Sequence, residues 1–223
     1  MFAAFNARRS ALFATGLFAI AATATLAATS KPAGPGDEVG IVEHVRGNVR
    51  VERNGLIANV TSGDSISRRD HLMTGPSSRA LLAFDDGSRL SVGENALIVV
   101  ADYMRERGRR SGALILDLIR GAIRLVAAEP RESPGKRVEV RTAAATISSQ
   151  GVDFWSGPVG EQIAILVIKG KVEVRNDAGL VRLDRKRSGT LVSDRSTPPE
   201  KPTVWPAKRA RQILHTVAFE QAK

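Results

Sequence analysis

ALLAFDDGSRLSV, residues 80–92, decides how the chain is read. Two apolar alternations, 80–84 and 89–92, flank Asp85, Asp86, Gly87 and Ser88. Asp-Gly between alternating runs is a strong hairpin signal, because Gly accepts the positive φ of a type I′ or neighbouring turn at no steric cost. The paired carboxylates also invite an acid/base reading. Adjacent side chains on a strand point to opposite faces, however, and a hairpin tip lacks the burial a carboxylate dyad needs. The stretch is therefore read as a hairpin corner.

The same period of two runs outward in both directions. Val39 and Ile41, then Val45, Val49 and Val51, open the pattern, and strand-like runs follow at 97–101, 114–119, 123–127, 138–141, 144–148, 163–168, 172–175 and 180–183. Turn residues separate them, with Gly75, Gly87, Gly93, Gly151 and Gly170 assigned structural turns. Strands at this spacing, with no long amphipathic helix between them, predict an all-β domain.

An internal echo refines that expectation. GNVRVERNG with SGDSIS (47–67) and GKVEVRNDAG with SGTLVS (170–193) share Gly-x-Val-x-Val, a turn glycine, then Ser-Gly; GAIRLV (121–126) is a partial third copy. Repeated β-hairpins predict a roll, a sandwich or a short solenoid-like domain. The tail differs in kind. Residues 196–206 hold four prolines, which cannot donate ladder hydrogen bonds, and so read as an extended linker or strap. Beyond it, Ile213, Leu214, Val217 and Ala218 at helical spacing predict a short C-terminal α-helix that folds back on the β domain or meets a membrane or partner.

At the other end, Arg8 and Arg9 precede an uncharged run from Ser10 to Ser30, the pattern of an export signal. Cleavage is expected after Ala27, with Ala24 as the alternative, and an uncleaved anchor as the rival reading. The expected organisation is a signal at 1–27, a linker at 28–38, the β domain at 39–194, a Pro-rich linker at 195–206 and the helix at 207–223. Removing 27 residues leaves 196, with 31 Lys and Arg against 23 Asp and Glu, a net charge of +8. An exported basic protein points to anionic neighbours, either glycan or lipid, and not to nucleic acid, since no aromatics interleave with the basic residues.

Chemistry is sparse. The chain has no Cys, and His44, His71 and His215 are widely spaced, so neither a metal site nor thiolate chemistry is expected. Ser148-Ser149-Gln150-Gly151 lacks a nucleophile-elbow pattern, and no phosphate-cradling loop is present. Asp153, Phe154 and Trp155 form the most pointed cluster, able to hydrogen-bond and stack on a sugar, or to form a core strand start beside a turn-capping Asp. No catalytic residue and no cofactor are assigned.

The stretches 62–100, VEVRTAAATISSQGVDFWS (138–156) and AILVIKGKVEVRN (164–176) resemble the FecR domain, a β-rich periplasmic sensor domain of bacterial cell-surface signalling, over about residues 39–194. The specific block is Gly-Asp, Thr-Gly, Ser-Arg-Ala, Phe-x-Asp-Gly-Ser and Gly-x-Asn in that order. The resemblance implies a domain that takes a signal from an outer-membrane transporter and passes it towards an extracytoplasmic-function sigma factor. Only residues 1–9 precede the apolar run, too few for a sigma-binding domain, so direct sigma regulation is not expected. Some members are thought to cleave themselves at a Gly-Thr bond; the matching pair here is Gly151-Val152, without a nucleophile, so no self-cleavage is expected there. The expected function is that of an exported, non-enzymatic binding and signalling adaptor; the alternatives are association with an envelope glycan or anionic lipid and, last, a carbohydrate-active enzyme using Asp85 or Asp153. Its expected partner is an envelope protein, either an outer-membrane receptor or an inner-membrane signalling protein, met at Ser78, Arg79, Asp86, Asp153, Phe154 and Trp155.

Overall fold

A computed structural model describes residues 38–105, 112–127, 137–149 and 152–219. The export signal, the linker up to residue 37, Gly151 and the last four residues lie outside the described residues. The chain builds two facing sheets by shuttling between them. It enters the first with β1 (Glu38–Arg46), crosses to the second for the hairpin β2 (Val49–Arg53) and β3 (Leu56–Asn59), and returns for β4 (Ser65–Ser67). It then adds β5 (His71–Thr74) to the second sheet, β6 (Arg79–Phe84) and β7 (Arg89–Val92) to the first, β8 (Leu97–Arg105) and β9 (Gly112–Arg120) to the second, and β10 (Ile123–Val126) to the first. Beyond these come β11 (Arg137–Arg141) and β12 (Thr146–Ser149) in the second, β13 (Asp153–Val159) and β14 (Gln162–Lys169) in the first, and β15 (Val172–Asn176) and β16 (Gly179–Leu183) in the second. β17 (Ser188–Val192) and β18 (Thr203–Val204) finish the first sheet, and α1 (Ala207–His215) follows.

Each sheet has nine strands, ordered β4-β1-β6-β7-β10-β13-β14-β17-β18 and β3-β2-β5-β8-β9-β11-β12-β15-β16. The fold is thus the all-β, repeated-hairpin architecture read from the sequence, realised as a sandwich without a closed barrel. Pairing is antiparallel except between β9 and β11, which run parallel. The alternation places Leu82, Phe84, Leu90, Ile123, Leu125, Val140 and Val174 between the sheets, each 4% exposed or less. Burying one such side chain fully is worth about 1.5–3 kcal/mol.

The repeat has a definite place in this plan. Its first copy forms β2 and β3 at one end of the second sheet, and its second forms β15 and β16 at the other. The glycine that opens each copy is the corner at which the chain changes sheets: Gly47 (φ 74°), Gly121 (φ 88°) and Gly170 (φ 87°). The other crossings within the described residues also use one left-handed residue each, at Gly63, Arg69, Ser77, Asn95 and Arg187. A left-handed residue reverses the local sense of twist and turns a strand out of its own sheet. At Gly121 a Cβ would collide with Ala96, so packing as well as φ requires glycine there.

Several short strands were not read from the sequence: β3, β4, β5, β17 and β18. The 85–88 corner differs in detail from a type I′ turn. Only Gly87 takes a positive φ (84°), and its N–H donates to the Phe84 carbonyl at 2.9 Å, so an i to i+3 turn is closed by a left-handed glycine. The helix spans nine residues of the expected 207–223.

Candidate functional site

The outer face of the first sheet carries a second apolar cluster. Ala122, Trp155, Ala164 and Leu166 point away from the main core and are covered by Trp205, Ala210 and Val217, with Ile213 and Leu214 packed alongside. The covering segment begins with the strap: Trp205 N–H donates to the Arg187 carbonyl at 2.8 Å, and the Trp205 ring lies on Gly189, where a side chain would clash. Arg209 stacks its guanidinium 3.8 Å from the centre of the Trp205 ring.

Packing, not capping, holds α1 in place. Its N-terminus has no side-chain cap and no acidic residue in the first turn, while Lys208 and Arg209 sit there against the positive end of the helix dipole. Ala210, Ile213, Leu214 and Val217 share one face and supply the contacts with the sheet.

Three residues assigned from sequence to partner contact or turns meet at the C-terminal end of this helix. Arg79 Nε donates to the Ala218 carbonyl at 3.1 Å. Trp155 Nε1 donates to Thr216 Oγ1 at 3.1 Å. Gly93 lets the Thr216 carbonyl approach to within 2.9 Å of where a Cβ would stand. The ring of His44 lies 6.2 Å from that of Phe219 beside them. Thr74 fixes this corner from below, its hydroxyl donating to the Gly93 carbonyl at 2.6 Å and accepting from Ala96 N–H at 2.9 Å.

The remaining assigned residues lie elsewhere. Phe154 is in the main core at 0% exposure. Ser78 is buried at the β5 to β6 crossing, where its hydroxyl accepts from Asn48 N–H at 2.8 Å and donates to the Pro76 carbonyl at 3.0 Å. Asp86 accepts from Ser88 N–H at 2.7 Å within its own turn. Gly75 bonds Asn48 across the neighbouring corner at 2.9 Å. Asp153 is not a turn cap: both its oxygens are held by Arg124, at 2.9 and 2.7 Å. That hydrogen bonding raises the Arg124 guanidinium above its ordinary range despite the opposing effect of burial. Gly151 is outside the described residues.

Sequence reasoning missed a second carboxylate and guanidinium pair. Asp70 is fully buried and receives Arg53 through two bonds, at 2.7 and 2.6 Å, while also accepting from Ser67 N–H at 2.8 Å. Arg53 donates further to the Ser65 carbonyl at 2.9 Å, tying β2 in one sheet to β4 in the other. On the second sheet a cleft of about 590 Å³ is lined by Arg137, Ser148, Lys171, Glu173 and Arg182, a mixture of both charges. Among the described residues no three His, Asp or Glu converge as metal ligands, and no helix is long and apolar enough to cross a membrane.

The arrangement is an all-β sandwich in which an apolar outer face of the first sheet is closed, among the described residues, by the chain's own C-terminal segment. Residues 70–173 match the family model described as FecR protein, so that stretch is FecR-like, as the sequence motifs implied. Two crystal structures of a "putative anti-sigma factor" from Parabacteroides distasonis ATCC 8503 share the fold, with TM-scores of 0.53 and 0.52 at 16% and 18% identity. The match covers 65% of this chain and 64% and 63% of those chains, less than two thirds of their length. No curated protein matches.

Proposed function

We propose that the chain is an exported adaptor in signal transduction, binding an envelope protein through the corner formed by Arg79, Gly93 and Trp155 and the segment that covers it. One observation carries this reading: within the FecR-like stretch, Arg79 at the start of β6, Gly93 just after β7 and Trp155 within β13 converge on the chain's own C-terminal end, 61 to 139 residues away in sequence. The FecR match and the anti-sigma-type neighbours support a regulator of signal transduction, and the apolar run at 10–30 supports export. The test is cross-linking in intact cells with a tagged chain, followed by capture through high-salt washes. A stoichiometric envelope protein captured by the native chain and lost with Arg79→Ala supports the adaptor. A chain recovered alone from every fraction overturns it.

A second reading has its own observation. Residues 185–219 hold eight Lys and Arg against two Asp and Glu, a net of +6 out of +10 for the whole chain. Lys186, Lys201, Lys208 and Arg211 in this segment are exposed, and none forms an ion pair among the described residues. An anionic glycan or lipid in the envelope would be held by such a surface. Retention in the envelope fraction that falls steeply with salt supports it, and retention indifferent to salt removes it.

A further inference from the structure

The two ends of the sandwich are closed to different degrees. At the β16 end, the Asn176 side-chain amide donates to the carbonyls of Asp194 and Thr197 at 2.9 and 2.6 Å, which lays the strap across the hairpin. Pro198 then sits over Gly179, the first residue of β16, and Leu180 and Val181 are half-buried. In the facing sheet, β17 is covered by β18 and by the bond from Glu200 N–H to the Leu191 carbonyl at 3.0 Å.

The β3 end has no such cover among the described residues. In β4 the Ser65 carbonyl is engaged by Arg53 and the Ser67 N–H by Asp70, so that edge is occupied. β3 has one strand neighbour, β2, and exposes Leu56 by 63% and Ile57 by 59%. Val60 N–H donates to the Val49 carbonyl at 2.9 Å, which fixes which pairs exchange hydrogen bonds. Counting along the antiparallel register, Val51 with Ala58 and Arg53 with Leu56 are also hydrogen-bonded pairs. The N–H and C=O of Ile57 therefore point away from β2, as do those of Asn59. Natural edges are normally guarded by Lys, Pro or a bulge, and Leu-Ile-Ala-Asn has none of these.

We propose that two copies of this chain associate edge to edge through β3, antiparallel, with Ile57 of one copy opposite Ile57 of the other. Three features select a second copy as occupant. The strand is uncharged, so self-pairing sets no like charges opposite each other even though the chain carries +10. The register that faces Ile57 with Ile57 joins the outward backbone groups and places Leu56 opposite Ala58. Because Ile57 faces Ile57, the contact is isologous: each copy uses its single β3 edge, so pairing closes at a dimer instead of growing into a filament. A four-residue edge is small beside the ~1,200 Å² of a tight interface, so the dimer dissociates on dilution.

The chain's lack of Cys makes the test direct, because Ile57→Cys carries a single thiol. Hydrogen-bonded antiparallel partners lie ~5.5 Å apart at Cα, within disulfide reach. Mild oxidation is expected to give a covalent dimer much faster for Ile57→Cys than for Glu161→Cys, which is exposed at the distant β13 to β14 turn. Sedimentation of the unmodified chain should show a concentration-dependent dimer that Ile57→Lys abolishes with an unchanged circular dichroism spectrum. Equal cross-linking rates at the two positions would overturn the proposal. So would a chain that stays monomeric at high concentration, or a dimer that persists in Ile57→Lys.

Discussion

Trp155 and Thr216 are 61 residues apart, and the indole N–H of the first donates to the hydroxyl of the second at 3.1 Å. The Thr216 hydroxyl in turn donates to the Ile213 carbonyl at 2.6 Å, so one side chain both stops α1 and anchors it to β13. Thr216→Val leaves the indole N–H without its partner and should cost about 1 kcal/mol, read from denaturant midpoints. Deleting 207–223 should expose Trp155 and shift its fluorescence to longer wavelength. Unshifted emission would mean the helix does not cover this face in solution.

The Arg53 and Asp70 pair should respond unequally to removal of either partner. Asp70 has 0% side-chain exposure and Arg53 has 16%, so Arg53→Met strands a buried carboxylate and should cost about 3–5 kcal/mol. Asp70→Asn leaves a cation that can still reach water and should cost less. Equal losses in the two variants would contradict this placement. A double-mutant cycle isolates the coupling.

The left-handed corners make a second stability series. Gly121→Ala combines a strained φ of 88° with collision against Ala96, whereas Gly55→Ala meets nothing within 4 Å at a φ of 77°. The latter should cost about 1–2 kcal/mol, the expense of left-handed backbone alone, and the former clearly more. Thermal unfolding of both proteins checks the order.

Asp194 gathers the start of the strap. Its carboxylate accepts from the hydroxyls and N–H groups of Ser196 and Thr197, and these bonds, the Ser196 hydroxyl first, hold its pKa below the usual aspartate range. A depressed folded pKa contributes stability above the unfolded value, and that contribution is lost as pH falls through the folded one. Acidification should therefore loosen the strap before the core melts. Titration of Asp194 by NMR should show the low value, and a normal one would refute the network.

Much of the sandwich was legible because its central strands bury one face and alternate cleanly, as 80–84 and 138–141 do. The short strands were not. β4 and β5 are three and four residues long, and Ser and His interrupt the apolar signal. Trp155 shows another limit. Its reading as a core aromatic near a strand start holds, but the apolar cluster it joins lies on the outer face of the first sheet, beneath a helix that arrives much later in the chain. Arg53 with Asp70 and Arg124 with Asp153 are likewise 17 and 29 residues apart, separations no local pattern encodes.

The order of strands across both sheets nearly repeats their order along the chain, and that governs how the protein can fold as it is made. Each new hairpin finds its neighbours already in place, so closing each addition needs only a short loop and the sandwich can zip from its first end. The exceptions are the contacts of the C-terminal segment, such as that between Arg79 and Ala218, which spans 139 residues. Until synthesis reaches α1, the nascent domain is a finished sandwich with one greasy wall, dependent on whatever meets it first: its own tail, a chaperone or a neighbour.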